Sequence, residues 1–214
     1  MPAKSKYQAQ DVIDAAFQIV RTHGVEKCSA RAIAGEMKSS TMPIYSCIKS
    51  MKELEEAIVK KAIDLLIQYQ IQERTGISVL DMGIGYILFA KNEKQLFRML
   101  FFTEAAQKDM DLSKRMRDYA ISVSMDKLDK FSPLDELSYK QKMDILYKMW
   151  TFNHGIAVML NNAIIEDLSE DQIIRILMDT GLYIMTGVRD RDELYKQDVV
   201  RELFNRAGLN REHS

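Results

Sequence analysis

One short stretch of the chain, residues 29–54, most constrains its fold, because it contains two short helical segments separated by a polar turn. Ser29 can accept a hydrogen bond from a backbone N–H two or three residues on, and residues 30–37 favour a helix. A polar run then interrupts this segment, and Ser40 is placed to cap a second helix that carries Pro43 in its first turn. This arrangement predicts a helix-turn-helix.

The second of these helices is predicted to have two faces of different character. Ile44 and Ile48 are four residues apart, so both can face a core. The same spacing leaves the remaining side chains pointing elsewhere, since residues on one helix face recur every three or four positions. In a helix-turn-helix the second helix enters the major groove of DNA. The candidate DNA-facing side chains are therefore Thr41, Met42, Tyr45 and Lys49.

Positions on both sides of this motif follow the order and spacing of a known family. They are Ile13, Ala15, Ala16, Phe17, His23, Gly24, Ser29, Arg31, Ile33, Ala34, Ser40, Ile44, Tyr45, Ser50 and Leu54. In these positions the chain resembles the TetR/AcrR transcriptional regulators. The resemblance implies a helix-turn-helix over residues 29–48, a recognition helix over residues 41–47, and a phosphate contact from the Tyr45 hydroxyl. The chain departs from the family pattern at Lys38, Ser39, Cys47, Ile48 and Met51.

Composition predicts an all-α chain. Only 3 Pro and 9 Gly occur among 214 residues, and the long segments repeat their apolar residues with a period near that of an α-helix. We expect a three-helix head (residues 1–52) and a larger helical body (residues 53–214) that binds an effector and forms the dimer. A long fourth helix should begin near Ser50, continue to Thr75-Gly76 and connect the two regions. A last helix is predicted from Asp192 to Ala207.

Charge divides between these two regions. The head carries 8 Lys and Arg against 4 Asp and Glu, whereas the body carries 22 against 27. A solvated basic surface explains this excess, but basic charge on a helix-turn-helix also attracts phosphates. Lys4 and Lys6 form a short basic arm that is either a disordered tail or a further DNA contact. The candidate DNA-binding residues are Lys4, Lys6, Ser29, Arg31, Lys38, Ser39, Ser40, Thr41, Met42, Pro43, Tyr45, Lys49 and Lys52.

Two long apolar helices near the carboxyl terminus are predicted at residues 138–165 and 170–188. Ser138 with Gln141, and Ser169 with Gln172, form capping boxes that begin them. The glycines in these helices permit close packing, either within one chain or between two chains. The resemblance implies a homodimer through these two helices, and a two-fold dimer would present two heads to successive half-sites on DNA.

The body is also rich in methionine and aromatic residues. Such residues usually form core, but polar groups among them also fit a pocket for a small apolar or amphipathic effector. Trp150, His154 and Gly155 resemble a Trp, His, Gly signature in the carboxyl-terminal domain of one TetR-like subgroup. The candidate ligand-binding residues are Tyr86, Met99, Phe102, Met125, Met149, Trp150, Asn153 and His154.

Enzymatic chemistry has little support in the sequence. There is no G-x-S-x-G elbow and no glycine-rich phosphate loop, and Cys28 and Cys47 have neither disulfide-framework nor metal-ligand spacing. We therefore expect no cofactor or metal, and the lack of a leader or long apolar stretch favours a cytoplasmic protein. The sequence predicts a ligand-responsive, DNA-binding repressor. A non-enzymatic adaptor that uses its acidic body to bind a protein is the alternative, and a helical enzyme is a weaker one.

Overall fold

The computed structural model describes residues 7–103, 110–132 and 134–206, and every regular element in these ranges is helical, which confirms the all-α prediction. The head contains α1 (Ala9–His23), α2 (Ala30–Glu36) and α3 (Met42–Cys47), with a 3-10 turn at Val25–Lys27. The body contains α4 (Met51–Ile71), α5 (Ser78–Asn92), α6 (Lys94–Phe102), α7 (Met110–Asp129), α8 (Tyr139–Asn161), α9 (Glu170–Arg189), α10 (Arg191–Lys196) and α11 (Asp198–Arg206).

Serine side chains begin four of these helices. The hydroxyl oxygen of Ser29 accepts a hydrogen bond from the backbone N–H of Ala32, and that of Ser50 accepts one at the start of α4. Ser138 and Ser169 each form the predicted capping box with the glutamine three residues on. These caps satisfy backbone donors that have no partner inside the helix.

The predicted cap at Ser40 is wrong. The N-cap of α3 is Thr41, which already has helical backbone angles and makes no side-chain cap. The carbonyl of Ser40 instead accepts a hydrogen bond from the Ser39 hydroxyl at 2.9 Å. The tight turn that ends α2 moves the start of α3 one residue on, while Pro43 stays in the first turn as expected.

That turn is a Schellman motif. The backbone N–H of Ser39 donates to the carbonyl of Ala34 at 2.9 Å, and the N–H of Lys38 donates to that of Gly35 at 3.1 Å. Lys38 has a φ of 50°, in the left-handed region where glycine is usual. For a residue with a Cβ atom this conformation costs roughly 1–2 kcal/mol. The departure from the family pattern at this position therefore leaves the turn intact but strained.

A single apolar cluster runs from the head into the body. In the head, the α1 stripe packs on α2 and α3 as predicted, with Phe17, Ile33 and Ile44 almost fully buried. The same cluster continues through α4 and reaches Phe89 and Phe97 in α5 and α6. The head is therefore packed directly on the body, and the division at residue 52 stays a prediction.

Helix α5 is the centre of the body, since every residue from Leu80 to Ala90 is buried. Helices α4, α8 and α9 pack around it. A Cβ atom on Gly85 would lie 2.1 Å from the backbone oxygen of Tyr69 in α4, so only glycine allows these two helices to approach so closely.

Helix α4 ends at Ile71, four residues before the predicted stop at Thr75-Gly76. The buried carboxylate of Asp81 accepts hydrogen bonds from the backbone N–H groups of Arg74 and Thr75 and from the Thr75 hydroxyl. Burial raises the pKa of Asp81, but these hydrogen bonds outweigh it and bring the pKa below its usual value. The carboxylate thus holds residues 74–75 outside the helix.

The single last helix predicted from Asp192 to Ala207 is also wrong. Residues 191–206 form two short helices, α10 and α11, separated by Gln197, whose backbone is extended at φ −69° and ψ 132°. An extended residue interrupts the hydrogen-bond ladder, so the helix cannot continue through it. Ala207 lies outside the described residues. No helix in the described ranges is both long and apolar enough to span a lipid bilayer.

Candidate DNA-binding surface and aromatic cluster

Helix α3 has one buried face and one exposed face, as its spacing predicts. Ile44 and Ile48 lie in the core, whereas Thr41 is exposed and the side chains of Met42 and Tyr45 are 78% and 66% exposed. Helix α3 has only six residues, and packing within the chain does not explain why its large side chains are exposed. Its outer face is therefore available to a partner.

The other predicted DNA-binding residues surround α3 with hydroxyl groups and positive charge. Lys49 and Lys52 are exposed at the start of α4, and only a long 3.9 Å contact joins Lys52 to Glu56. Ser39 and Pro43 are half-buried, while Lys4 and Lys6 lie outside the described residues. Those that are exposed are Ser29, Arg31, Lys38, Ser40, Thr41, Met42, Tyr45, Lys49 and Lys52. Their contact with DNA stays a prediction.

Tyr7 fixes the beginning of the described chain against this surface, which the sequence did not indicate. Its hydroxyl donates to the carbonyl of Met37 at 3.4 Å, and the Cys47 thiol donates to the carbonyl of Tyr7 at 3.3 Å. Tyr7 thereby joins the end of α2 to the end of α3. Cys47 is half-buried and packs as a small apolar side chain, as expected.

In the body, an aromatic cluster contains the polar pair Tyr86 and His154. The Tyr86 hydroxyl lies 2.7 Å from Nδ1 of His154. Phe97 and Phe101 pack on both rings, with their own centroids 4.7 Å apart. The cluster is completed at its outer edge by Phe102, packed on Phe97, and by Trp150, packed on His154.

Burial keeps both members of the polar pair uncharged at neutral pH. It raises the pKa of the Tyr86 hydroxyl and lowers the pKa of the His154 imidazole. When the imidazole proton is on Nε2, the tyrosine hydroxyl donates to Nδ1. Trp150 is 50% exposed and Phe102 is also exposed, so the cluster extends from the buried pair to the surface. The cluster therefore combines apolar surroundings with one neutral polar pair.

The structure brings together four of the eight predicted ligand-binding residues in the aromatic cluster, and these are Tyr86, Phe102, Trp150 and His154. Ligand binding by all eight stays a prediction. Of the other four, Met99 is buried in the same apolar cluster as Tyr86 and Phe97, whereas Met125, Met149 and Asn153 have different neighbours. Phe97 and Phe101 were not among the candidate ligand-binding residues, although their spacing of four residues on one helix could have indicated a shared face.

The last three of these residues each pack in different surroundings. Met149 packs against α9 near Gly181. Met125 lines an open groove of about 590 Å³ between α7 and α8. Asn153 lies over Gly83, and its buried Oδ1 has no hydrogen-bond partner among the described residues.

The corner between α5 and α6 is tied to the head by a buried carboxylate. Glu93 is only 4% exposed, and Arg21 of α1 donates to both of its oxygens, with Nε–Oε2 at 2.7 Å. This pairing raises the pKa of Arg21, although burial acts in the opposite direction. The hydroxyl of Tyr69 in α4 donates to the same carboxylate at 3.3 Å. Sequence reasoning missed the pair because Arg21 and Glu93 are 72 residues apart.

The same corner is held from the other side by α8. The buried amide of Asn161 donates to the carbonyls of Ala90 and Lys94, both at 3.1 Å. Its oxygen accepts from Nε of Arg98 at 3.0 Å. A displacement of this corner would therefore be felt by α1, α4 and α8 together.

Helices α8 and α9 expose large apolar side chains along much of their length. On α8, Tyr147 and Trp150 pack edge to face and both are exposed. On α9, Tyr183 is 80% exposed. A Cβ atom added to Gly155 or Gly187, on the same two helices, would meet no atom of the described residues within 4 Å, so packing within the described chain does not require these glycines. An apolar surface of this kind is typical of contact with another protein.

Comparison with known proteins places this architecture in a class. No protein-family model matches the chain. A solved TetR-like transcriptional regulator from Rhodococcus sp. RHA1 is similar over 83% of this chain and 95% of its own, with a TM-score of 0.55 at 16% sequence identity. The chain therefore has the fold of a TetR-like regulator.

A relative in sequence is the HTH-type nicotine-responsive transcriptional repressor HdnoR of Paenarthrobacter nicotinovorans. It is 36% identical over 59 residues. That segment covers 28% of this chain and 30% of the length of the repressor.

Proposed function

We propose that this protein is a DNA-binding transcriptional regulator of the TetR type. The observation that carries the proposal is α3, a short helix whose buried face packs on the head while Thr41, Met42 and Tyr45 are exposed among lysines and hydroxyl groups. Exposed donors and positive charge are what contact with DNA phosphates and base edges requires. The similarity to a repressor and to a TetR-like fold supports the same conclusion.

The direct test compares two exposed apolar side chains, one on α3 and one outside both proposed binding surfaces. Tyr45 in α3 is 66% exposed, and Ile71 at the end of α4 is 58% exposed. Tyr45→Ala is expected to weaken binding to the promoter fragment upstream of its own gene by about tenfold, since a hydrogen bond to a charged phosphate is lost. Ile71→Ala is expected to bind like the wild type. Binding is measured by fluorescence anisotropy, and wild-type protein that bound no duplex even at low salt would favour the adaptor alternative.

We further propose a homodimer through helices α8 and α9, corresponding to the predicted segments at residues 138–165 and 170–188. The exposed apolar side chains of these helices support it, because water contact of so much apolar surface is unfavourable. A dimer also suits operator binding, since two heads can read two half-sites about one helical turn apart.

The effector is proposed to be a small apolar or amphipathic molecule that enters the aromatic cluster. The neutral pair Tyr86 and His154 supplies a polar group to orient it, and the resemblance of Trp150, His154 and Gly155 to a subgroup signature supports the same region. Binding there would displace α6, whose corner at Glu93 is tied to the head. Coupling of this type is typically about 1–3 kcal/mol, enough to change DNA affinity tenfold.

Two experiments test the effector part. Footprinting on the promoter fragment with and without candidate effectors should show weaker protection when an effector binds the body. Electron density in the body of protein purified from its host would identify the molecule. DNA affinity that ignored every bound effector would remove allosteric repression from the proposal and leave the DNA-binding role standing.

The remaining parts of the proposal follow from these roles. Residues 1–52 act as the DNA-binding domain, and residues 53–214 carry effector binding and dimerisation. Repression rather than activation is supported by the name of the similar repressor. A regulator of this type acts on DNA in the cytoplasm and uses binding energy alone, without catalysis.

A further inference from the structure

Lys38 combines an unfavourable backbone conformation with an exposed side chain. Its φ of 50° is in the region that favours glycine, so its side chain makes the turn less favourable. The side chain is exposed, and no ion pair or hydrogen bond joins its ammonium group to another described residue. Within the described chain, no contact of the ammonium group offsets the unfavourable backbone.

A second turn shows that the backbone alone does not mark a functional residue. Ala163 has a φ of 54°, and it closes an equivalent turn after α8, where Ile164 donates to Met159 and Ala163 donates to Leu160. The two turns share their geometry but differ in position and charge. Lys38 carries a positive charge and lies between α2 and α3, whereas Ala163 carries no functional group and lies in the body.

The surroundings of Lys38 indicate what its charge contacts. It is four residues before Met42, the first residue of α3, and the exposed Ser40 and Thr41 lie between them. If α3 enters a groove of DNA, the turn before it passes the sugar-phosphate backbone at the rim of that groove. A flexible ammonium side chain at this point reaches a phosphate without defining a base.

We propose that Lys38 binds an operator phosphate beside the groove that α3 enters, and that this contact keeps a lysine where the turn favours glycine. The inference rests on the proposed DNA-binding function and adds a specific electrostatic role to it. Lys38 therefore contributes affinity for any duplex, independent of sequence.

The test compares Lys38→Gly with the matched control Ala163→Gly. Both changes relieve the backbone, so the melting temperature of each variant should equal or exceed that of the wild type. Affinity for a fluorescently labelled duplex of mixed sequence is then measured between about 50 and 200 mM salt. For Lys38→Gly we expect weaker binding and a log–log salt slope that is smaller by about 0.9, the value for one phosphate contact. Ala163→Gly and the charge-retaining Lys38→Arg should keep the wild-type slope.

Three results would overturn the inference while leaving the regulator intact. They are a wild-type slope in Lys38→Gly, an equal loss in Ala163→Gly, or a reduced slope in Lys38→Arg. Failure of the wild-type protein to bind either the mixed duplex or its promoter fragment would instead overturn the DNA-binding function. The two failures are thus distinguishable in one series of titrations.

Discussion

The head and the body expose surfaces of opposite chemistry. Around α3 the exposed groups are hydroxyls and lysines, together with Met42 and Tyr45. On α8 and α9 they include large apolar side chains such as Trp150, Leu182 and Tyr183. The first surface suits a polyanion and the second suits an apolar partner, so one helical fold is able to serve two kinds of macromolecular contact.

The interior does not follow this division. One apolar cluster continues from α1 through α4 to α5 and α6, and the buried Glu93 receives hydrogen bonds from Arg21 in the head and Tyr69 in α4. The surfaces of the head and of the body therefore differ, although the two regions share one apolar core. A change in the body consequently has a direct physical path to the head.

The largest effect is expected from a substitution on the exposed apolar surface of the body. Tyr183→Glu puts a charge on the proposed dimer surface, and we expect association to weaken by about 2 kcal/mol or more, roughly thirtyfold. Ile71→Glu is the control, because Ile71 is also an exposed apolar residue but lies at the end of α4. Sedimentation velocity measures the association. Dimers of unchanged affinity in Tyr183→Glu would show that α9 does not form the interface.

A smaller effect is expected at the joint between the regions. Arg21→Met leaves the buried Glu93 carboxylate without its main donor, which should cost about 1–2 kcal/mol of unfolding free energy, less than a fully buried pair because Arg21 is partly exposed. Lys61→Met removes a pair between α4 and Asp14 whose carboxylate is half-exposed, unlike the buried carboxylate of Glu93, and should cost less than about 1 kcal/mol. Urea unfolding compares them, and equal losses would contradict a special role for Glu93.

The smallest expected effect concerns pH in the body. Because burial lowers the pKa of His154, the unfolded chain binds a proton more readily than the folded chain as the pH falls below about 6.5. The part of the unfolding free energy that depends on an uncharged His154 is present above that pH and is lost progressively below it. His154→Phe should reduce the acid dependence of the unfolding free energy. An identical pH profile in this variant would show that His154 does not titrate in the folded protein as inferred.

Local signals made much of the head predictable. Ser29 capped α2, Pro43 stayed in the first turn of α3, and Ile44 and Ile48 were buried because each of these features depends on neighbours within a few residues. The capping boxes of α8 and α9 were found for the same reason. The helix-turn-helix could therefore be predicted from the sequence.

Features that depend on distant partners were not predictable. The Arg21–Glu93 pair joins residues far apart in sequence, and Asp81 ends α4 from the following helix. Tyr86 and His154 were each named as ligand candidates, yet their hydrogen bond could not be foreseen from positions 68 residues apart. The predicted Ser40 cap failed because the Schellman turn shifted the helix start by one residue.

Trp150 is the single tryptophan of the chain, and it lies half-exposed between the ring of His154 and that of Tyr147. The protein therefore carries an intrinsic fluorophore between the aromatic cluster and the exposed apolar surface of α8. Indole emission responds to local polarity, so dimer formation and binding of a small molecule would each alter the wavelength or the intensity of the emission. Both events could be followed in unlabelled protein with one optical signal.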